Sequence, residues 1–216
     1  PNNAFTLKTP KGYVPADKER YAEFLVMAED TLGEIDMTLL AAYIPEDIDA
    51  RRALDPSTTM DKYILVTSFD PFEGEVLSRK DFAKTKADIR ENPDMLMRAP
   101  VPGTAEYPRR IGLPYMKGNA VYYGFLTRNN AGRDVLGAGA FVHTGTTAIQ
   151  VYLYELMTSP DDIQNLMTEA VTVVPEMGFP PPEERDGKPF ILAGTGVALF
   201  AFLLGIFFVF RSRKAG

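Results

Sequence analysis

The chain has 216 residues, a formal net charge of −6, one His and no Cys. The lack of Cys excludes disulfides, iron–sulfur ligation and thiol catalysis. All 29 Asp and Glu precede residue 189, with 20 of the 23 Lys and Arg, so that part carries a net charge of −9. This surplus of acid repels nucleic acid and anionic lipid, and it favours a partner protein with a basic surface.

The first part of the chain is predicted to be helical behind an extended arm. Residues 1–16 contain three Pro and one Gly without hydrophobic periodicity, which is typical of an extended N-terminal arm. A helix is predicted from Asp17, because apolar residues then recur at helical spacing, at Tyr21, Phe24, Leu25 and Ala28. The apolar run from Ile35 to Ile44 is predicted to be a second, more buried helix.

Two strands and one capped helix are predicted in the middle of the chain. The segment 62–69 is rich in β-branched and aromatic residues and predicts a strand, and 119–128 predicts a second one. Ser78 is predicted to cap a helix that runs through Arg90, with Asp81 at the capping-box position.

The segments after residue 136 have weaker local signals. Together with the earlier elements, they predict the fold class. Residues 137–148 are small and predict a flexible segment, 150–157 fit either a helix or a strand, and a helix is predicted from Pro160 to near Ala170. The sequence therefore predicts an α+β fold of mostly short helices with one or two short strands and long loops rich in Pro and Gly. One C-terminal transmembrane helix completes this prediction, with an acidic extramembrane domain over 17–174.

A Pro-rich, locally basic segment interrupts this acidic domain at 98–118. It holds four Pro and four cations against the single acid Glu106. Such composition predicts an extended arm that docks on an acidic or polar partner surface, although an ordinary surface loop has the same composition. The candidate docking residues are Arg98, Arg109, Arg110 and Lys117.

The C-terminal segment is predicted to cross a membrane. A Pro-rich linker at 175–188 is followed by a charge-free run to Phe210, which is long enough to span a hydrocarbon core of roughly 30 Å. The predicted transmembrane helix covers 189–210 and the basic tail 211–216. A stripe of small residues on this helix is predicted to pack against another helix or a flat cofactor: Gly194, Ala198, Ala201 and Gly205.

No constellation of residues typical of an enzyme is found, so we predict no catalytic residues and no metal site. Gly137 and Gly139 are not followed by the remaining residues of a dinucleotide fingerprint. His143, the sole histidine, is a possible axial ligand to a chlorophyll magnesium, or else an ordinary polar loop residue. Calcium-loop spacing is absent from the acidic pairs.

These features predict a non-catalytic accessory subunit of a large membrane complex, which binds neighbouring subunits with its arms and its helix. The alternative is a membrane-anchored assembly factor, or an enzyme with an autonomous domain outside the membrane. The basic tail alone does not decide on which side of the membrane the domain lies.

The organisation of the chain resembles the single-span accessory subunits of photosynthetic complexes in red-lineage algae, such as the extra photosystem I subunits of diatoms. The residues that carry the resemblance are the Met-less start PNNAF and the anchor GTGVALFAFLLGIFFVF with its RSRK stop. The resemblance implies a plastid thylakoid location, core and antenna proteins as partners, and chlorophyll and carotenoid contacts at the transmembrane helix.

Overall fold

Strands account for slightly more than half of the regular structure among the residues that the structure describes. The computed structural model describes residues 6–33, 37–69, 77–97, 108–129, 131–145, 147–159 and 161–181. The strands are β1 (Tyr13–Pro15), β2 (Met37–Pro45), β3 (Lys62–Phe69), β4 (Arg109–Lys117), β5 (Ala120–Arg128), β6 (Asp134–Thr144) and β7 (Thr147–Leu156). The helices are α1 (Ala22–Gly33), α2 (Glu46–Leu54), α3 (Arg79–Glu91) and α4 (Asp162–Glu176), with a 3₁₀ turn at Pro93–Leu96.

The seven strands form one antiparallel sheet in the order β1-β2-β3-β7-β6-β5-β4. Strands β4 to β7 are consecutive neighbours joined by hairpins, and β3 pairs with β7 to join them to the N-terminal strands. The sheet therefore has two edges, β1 and β4, which lie at its opposite ends.

Helices cover both faces of this sheet. On one face α4 packs over β5, β6 and β7, through buried residues such as Leu166 and Ala170. On the other face α1 and α2 bury Phe24, Leu32 and Ile48 against β2 and its neighbours. At the β4 end of this second face, α3 buries Phe82 and Ile89 against the sheet. The sheet is thus the middle of three layers, with side chains alternating between two apolar cores.

Aromatic rings fill the second core where it crosses the central strands. Four tyrosines there lie close together, and Tyr123, Tyr152 and Tyr154 are each at most 1% exposed. Tyr63, which is half-buried, has its ring 4.9 Å from the Tyr154 ring, and Tyr123 and Tyr152 share a side-chain hydrogen bond. Burial raises the pKa of all four phenols well above the usual value.

Two glycines of β6 make room for these rings. Gly137 and Gly139 pair directly with Phe125 and Tyr123 of β5. A Cβ at Gly139 would lie 2.3 Å from the Tyr123 ring, and one at Gly137 would lie 2.0 Å from the Phe125 ring. The glycines of the GAGA segment are therefore packing positions, where an aromatic side chain lies across a strand that has no side chain of its own.

The predicted fold class is wrong. The described residues form a seven-stranded antiparallel sheet with four α-helices, rather than mostly short helices with one or two strands. The predicted strand at 62–69 is confirmed as β3, the predicted strand at 119–128 as β5, and the helix capped by Ser78 as α3.

The missed strands lie in segments whose composition is unusual for strands. The run predicted as a buried helix contains most of β2, and the small-residue segment predicted as flexible contains most of β6. The segment 150–157, which fits either a helix or a strand by sequence, lies in β7 except for its last residue. The last helix continues past Ala170 and ends at Glu176.

The predicted single-pass membrane location, and with it the thylakoid assignment, is contradicted on the described residues. Among them no helix is both long enough and apolar enough to cross a membrane. The run 189–210, with its small-residue stripe Gly194, Ala198, Ala201 and Gly205, lies outside the described residues, as do the predicted pigment contacts of that helix.

Candidate functional site

Strand β4 forms one edge of the sheet and carries three of the four predicted docking residues. Among the described strands, β4 pairs only with β5, so the backbone groups along its outer side have no strand partner there. Arg109, Arg110 and Lys117 lie in β4, and Arg98 lies outside the described residues. The described half of the predicted Pro-rich arm is thus part of the sheet, and its exposed side is a strand edge.

The edge is bent in its middle by Gly112 and Pro114. Between Ile111 and Tyr115 the register with β5 shifts, and Gly112 has a φ of +69°, which an L side chain rarely adopts. The Arg110 side chain holds this bulge. Its Nε lies 2.7 Å from the Asp94 carboxylate, in the 3₁₀ turn, and its Nη1 donates to the Gly112 carbonyl.

Two large apolar side chains are exposed at this edge. Leu113 is 80% exposed and Tyr115 is 52% exposed. Beside them lies an open groove of about 280 Å³ between β4 and the end of α3, lined by Arg90, Pro93, Leu113, Pro114, Tyr115 and Met116. The groove combines apolar walls with one guanidinium, since the Arg90 Nη2 lies 3.7 Å from the Met116 sulfur.

The surroundings of this groove are basic, whereas the chain as a whole is acidic. The described residues 77–97 and 108–119 contain eight Lys and Arg against four Asp and Glu, in a chain whose net charge is −6. Arg110 is held by Asp94, but Arg109 and Lys117 are exposed and have no ion-pair partner among the described residues. We call the exposed side of β4 together with this groove the β4 edge surface.

The alternation of side chains in β4 separates its cations by face. Arg110 pairs with Phe125 and Met116 pairs with Val121, and both partners are buried on the α3 side of the sheet. The alternate side chains of β4 lie on the α4 side of the sheet. Tyr115 pairs with Tyr122 and Lys117 pairs with Ala120, and both of these partners are buried in the core under α4. On the α4 side β4 therefore presents, in order, Arg109, Ile111, Tyr115 and Lys117.

His143, the predicted pigment ligand, lies in β6 under α3. Its side chain is 1% exposed, its ring stacks on Phe82 with centroids 5.0 Å apart, and its Nε2 lies 2.7 Å from the Leu77 carbonyl oxygen. Burial lowers the pKa of His143, an effect that the hydrogen bond to Leu77 opposes. To bind a metal through Nε2, the ring would have to give up this hydrogen bond. Within the described residues no group of three or more His, Cys, Asp or Glu could hold a metal ion.

A second polar cluster joins four residues that are distant in sequence. The Lys62 ammonium lies 2.5 Å from the Glu169 carboxylate and 3.4 Å from that of Glu155, and the Tyr13 hydroxyl donates to Glu169 over 2.5 Å. Burial and the hydrogen bond to Glu169 raise the pKa of Tyr13. These groups satisfy one another, so the cluster fastens α4 and β1 to the middle of the sheet rather than presenting a free group to a substrate.

Sequence reasoning missed this cluster, and it also missed the apolar residues of the β4 edge surface. The cluster has no local signal, because residues 13, 62, 155 and 169 meet only through the strand order. Leu113 and Tyr115 did have a local sequence signal. They lie on either side of Pro114, in the segment 98–118 whose basic residues are candidate docking residues. Their exposure follows from the edge position of β4, which the sequence does not show.

No protein-family model matches the chain, and no curated protein matches its sequence. One solved structure similar to it is that of the Ran-binding protein Mog1p of Saccharomyces cerevisiae. The sequence identity is 14% and the TM-score is 0.36, over 78% of this chain and 84% of that chain. We draw nothing about the function of this chain from a likeness of that degree.

Proposed function

We propose that this protein is a non-catalytic accessory subunit that binds another protein through its β4 edge surface. The observation that carries the proposal is the exposure of Leu113 and Tyr115 on a strand edge that, among the described residues, has no strand partner. Arg109 and Lys117, which have no ion-pair partner among those residues, flank it. Exposed apolar side chains rimmed by charged ones are typical of protein interaction sites.

Edge protection alone explains only part of this surface. Proteins commonly place cations, proline and bulges on edge strands to prevent aggregation, and β4 has all three features. That explanation does not require an exposed leucine and an exposed tyrosine, which add to the risk of aggregation. A docking site accounts for both sets of residues at once, since the apolar side chains supply contact area and the cations select the partner.

The opposite edge of the described sheet, β1, has no large apolar side chain exposed to solvent. Strand β1 has three residues, its Tyr13 side chain is turned into the core, and it ends at Pro15, which has no N–H to offer. The alternative function, an assembly factor or an enzyme with an autonomous domain, has no specific observation in its favour among the described residues.

Site-directed photo-crosslinking tests the proposal. Because the chain has no Cys, Leu113→Cys gives a single thiol, which can carry a benzophenone at the β4 edge surface. Leu54→Cys is the matched control, because Leu54 is 90% exposed on α2, which packs at the β1 end of the sheet. In extracts of the source organism, we expect the 113 probe to crosslink to one protein and the 54 probe not to do so.

The specificity of that crosslink decides the outcome. In the Leu113→Cys background, Arg109→Glu together with Lys117→Glu should abolish it, and Lys80→Glu together with Lys84→Glu, which change the charge equally on exposed positions of α3, should preserve it. Equal crosslinking from positions 113 and 54, or no crosslink from 113, would refute the proposed function.

A further inference from the structure

The β4 edge surface also defines the kind of segment that would bind it. We infer, on the basis of the proposed function, that the partner contributes an extended, acidic segment that pairs with β4 as an eighth strand of the sheet. An unpaired edge strand offers a row of backbone N–H and C=O groups, and an extended peptide satisfies them by forming the next ladder. No side-chain anchor on the partner is needed for this part of the binding.

The side chains of β4 specify the pattern of the added strand. On the α4 side, β4 presents Arg109, then the apolar pair Ile111 and Tyr115, then Lys117. Directly opposed side chains on neighbouring strands stabilise the pair when their charges are opposite or when both are apolar. The complementary face of the partner strand therefore carries an acid, two apolar residues and a second acid, in that order along the edge.

The bulge and the groove decide where this strand is held most firmly. Pro114 offers no N–H and Gly112 departs from strand geometry, so the ladder forms on either side of them. Next to this interruption of the hydrogen-bond ladder lies the groove lined by Pro93, Leu113 and Met116, which has room for one apolar side chain of the partner. Arg90 at its rim favours an acid beside that side chain.

Capped synthetic peptides with the full chain test this inference. The probe is Glu-Thr-Val-Thr-Val-Thr-Glu, which carries the inferred pattern on one face, and its charge-reversed twin has Lys in place of both Glu. A third peptide has the acidic sequence with N-methyl groups on alternate backbone amides, which removes half of the N–H donors and leaves the charges unchanged. Binding is measured by fluorescence anisotropy of the labelled peptides at low salt.

We expect the acidic peptide to bind at least about tenfold more tightly than the Lys twin and the N-methylated peptide. Isotope-edited amide spectra should show the largest shifts at Tyr115, Met116 and Lys117. The double variant Arg109→Glu, Lys117→Glu should reverse the preference between the acidic peptide and its Lys twin, and this reversal also shows that the variant is folded.

Two results would overturn the inference. Equal binding of the N-methylated and unmethylated acidic peptides would show that charge alone, without strand pairing, holds the segment. The absence of measurable binding by the acidic peptide would exclude this segment chemistry. Neither result would refute the proposed function if the crosslink from position 113 is specific. The absence of that crosslink would refute the proposed function as well.

Discussion

Individual residues decide how the sheet packs, and the glycines of β6 are the clearest case. The ring of Tyr123 lies over Gly139, and the ring of Phe125 lies over Gly137, each in the space that a side chain on the paired residue would fill. An aromatic residue that covers a cross-strand glycine buries its own surface and shields the strand backbone.

Replacement of Gly139 by Ala should destabilise the protein. The added methyl group would lie 2.3 Å from the buried Tyr123 ring, which must then move within a packed core. Overpacking of this kind costs about 1–3 kcal/mol, measured as the change in free energy of unfolding in urea. Gly33→Ala is the control, since nothing lies within 4 Å of its Cβ position and its helical backbone favours Ala. Equal stability of the two variants would refute the packing role.

His143 should make the fold sensitive to mild acid. Burial lowers its pKa in the folded state, so the folded protein binds this proton less readily than the unfolded chain does. Stability is therefore complete above the unfolded pKa of about 6.5 and falls as the pH drops through the lowered folded pKa. Nuclear magnetic resonance of the single imidazole gives the folded value directly.

The variant His143→Gln tests the origin of that acid sensitivity. Its amide can still donate to the Leu77 carbonyl, but it has no proton to gain in this pH range. The stability of this variant should change less between neutral pH and pH ~5 than that of the wild type. A folded imidazole pKa at or above that of a model peptide would contradict the prediction.

At the scale of elements, α3 depends on its first turn. The Ser78 hydroxyl accepts from the Asp81 N–H over 3.2 Å, and the Asp81 carboxylate accepts from the Ser78 N–H over the same distance. This capping box also fixes Leu77, whose carbonyl meets His143, so the start of α3 is tied to β6.

Ser78→Ala should lower the free energy of unfolding by about 1 kcal/mol, because the Asp81 N–H loses its capping oxygen. Thr172→Ala provides a comparison within α4, where the exposed hydroxyl donates to the Thr168 carbonyl in the preceding turn and a change to Ala favours the helix. The prediction fails if urea denaturation finds the Ser78 variant as stable as the Thr172 variant.

The elements that were predicted correctly are those with strong local signals. Lys62–Phe69 is β-branched and aromatic, and α3 begins with a capping box, so both were identified from short segments. The run that became β2 is rich in Leu and Ala, which favour helices in isolation, and its pairing with β3 overrides that preference. The glycines of β6 acquire their meaning only from the rings on β5, which lie in another part of the sequence.

At the candidate site, too, some features could be predicted from the sequence and others depend on tertiary structure. The basic, Pro-rich composition was enough to single out Arg109, Arg110 and Lys117, and their docking role stays a prediction. Arg110 pairs with Asp94, whereas Arg109 and Lys117 have no ion-pair partner in the part of the chain that the structure describes. This difference depends on the bulge and on the 3₁₀ turn beside it. Composition therefore located the surface, and tertiary structure distinguishes the cation that holds the bulge from those that face outward.

At the scale of the whole molecule, charge is distributed unevenly along the sheet. The described residues 77–97 and 108–119, which include α3 and β4, carry a net charge of +4 by sequence, whereas residues 6–33 and 37–69, which include β1 to β3, carry −3. The two groups lie at opposite ends of the strand order. An acidic partner is therefore attracted to one end and repelled by the other, so the encounter is oriented before contact and weakens as salt is added.

The aromatic core has an optical consequence. The chain has ten Tyr and no Trp, so its near-ultraviolet absorbance comes mainly from phenols, and burial keeps those of Tyr63, Tyr123, Tyr152 and Tyr154 protonated at a pH where exposed phenols ionise. Raised pKa values stabilise the fold up to the unfolded value of about 10, and that stability is lost as the pH rises further. In an alkaline titration, exposed phenols should ionise first and reversibly, followed by a later step in tyrosinate absorbance that coincides with the loss of circular dichroism. The ultraviolet absorbance of the tyrosinates would then report directly on the opening of the sheet, without any added label.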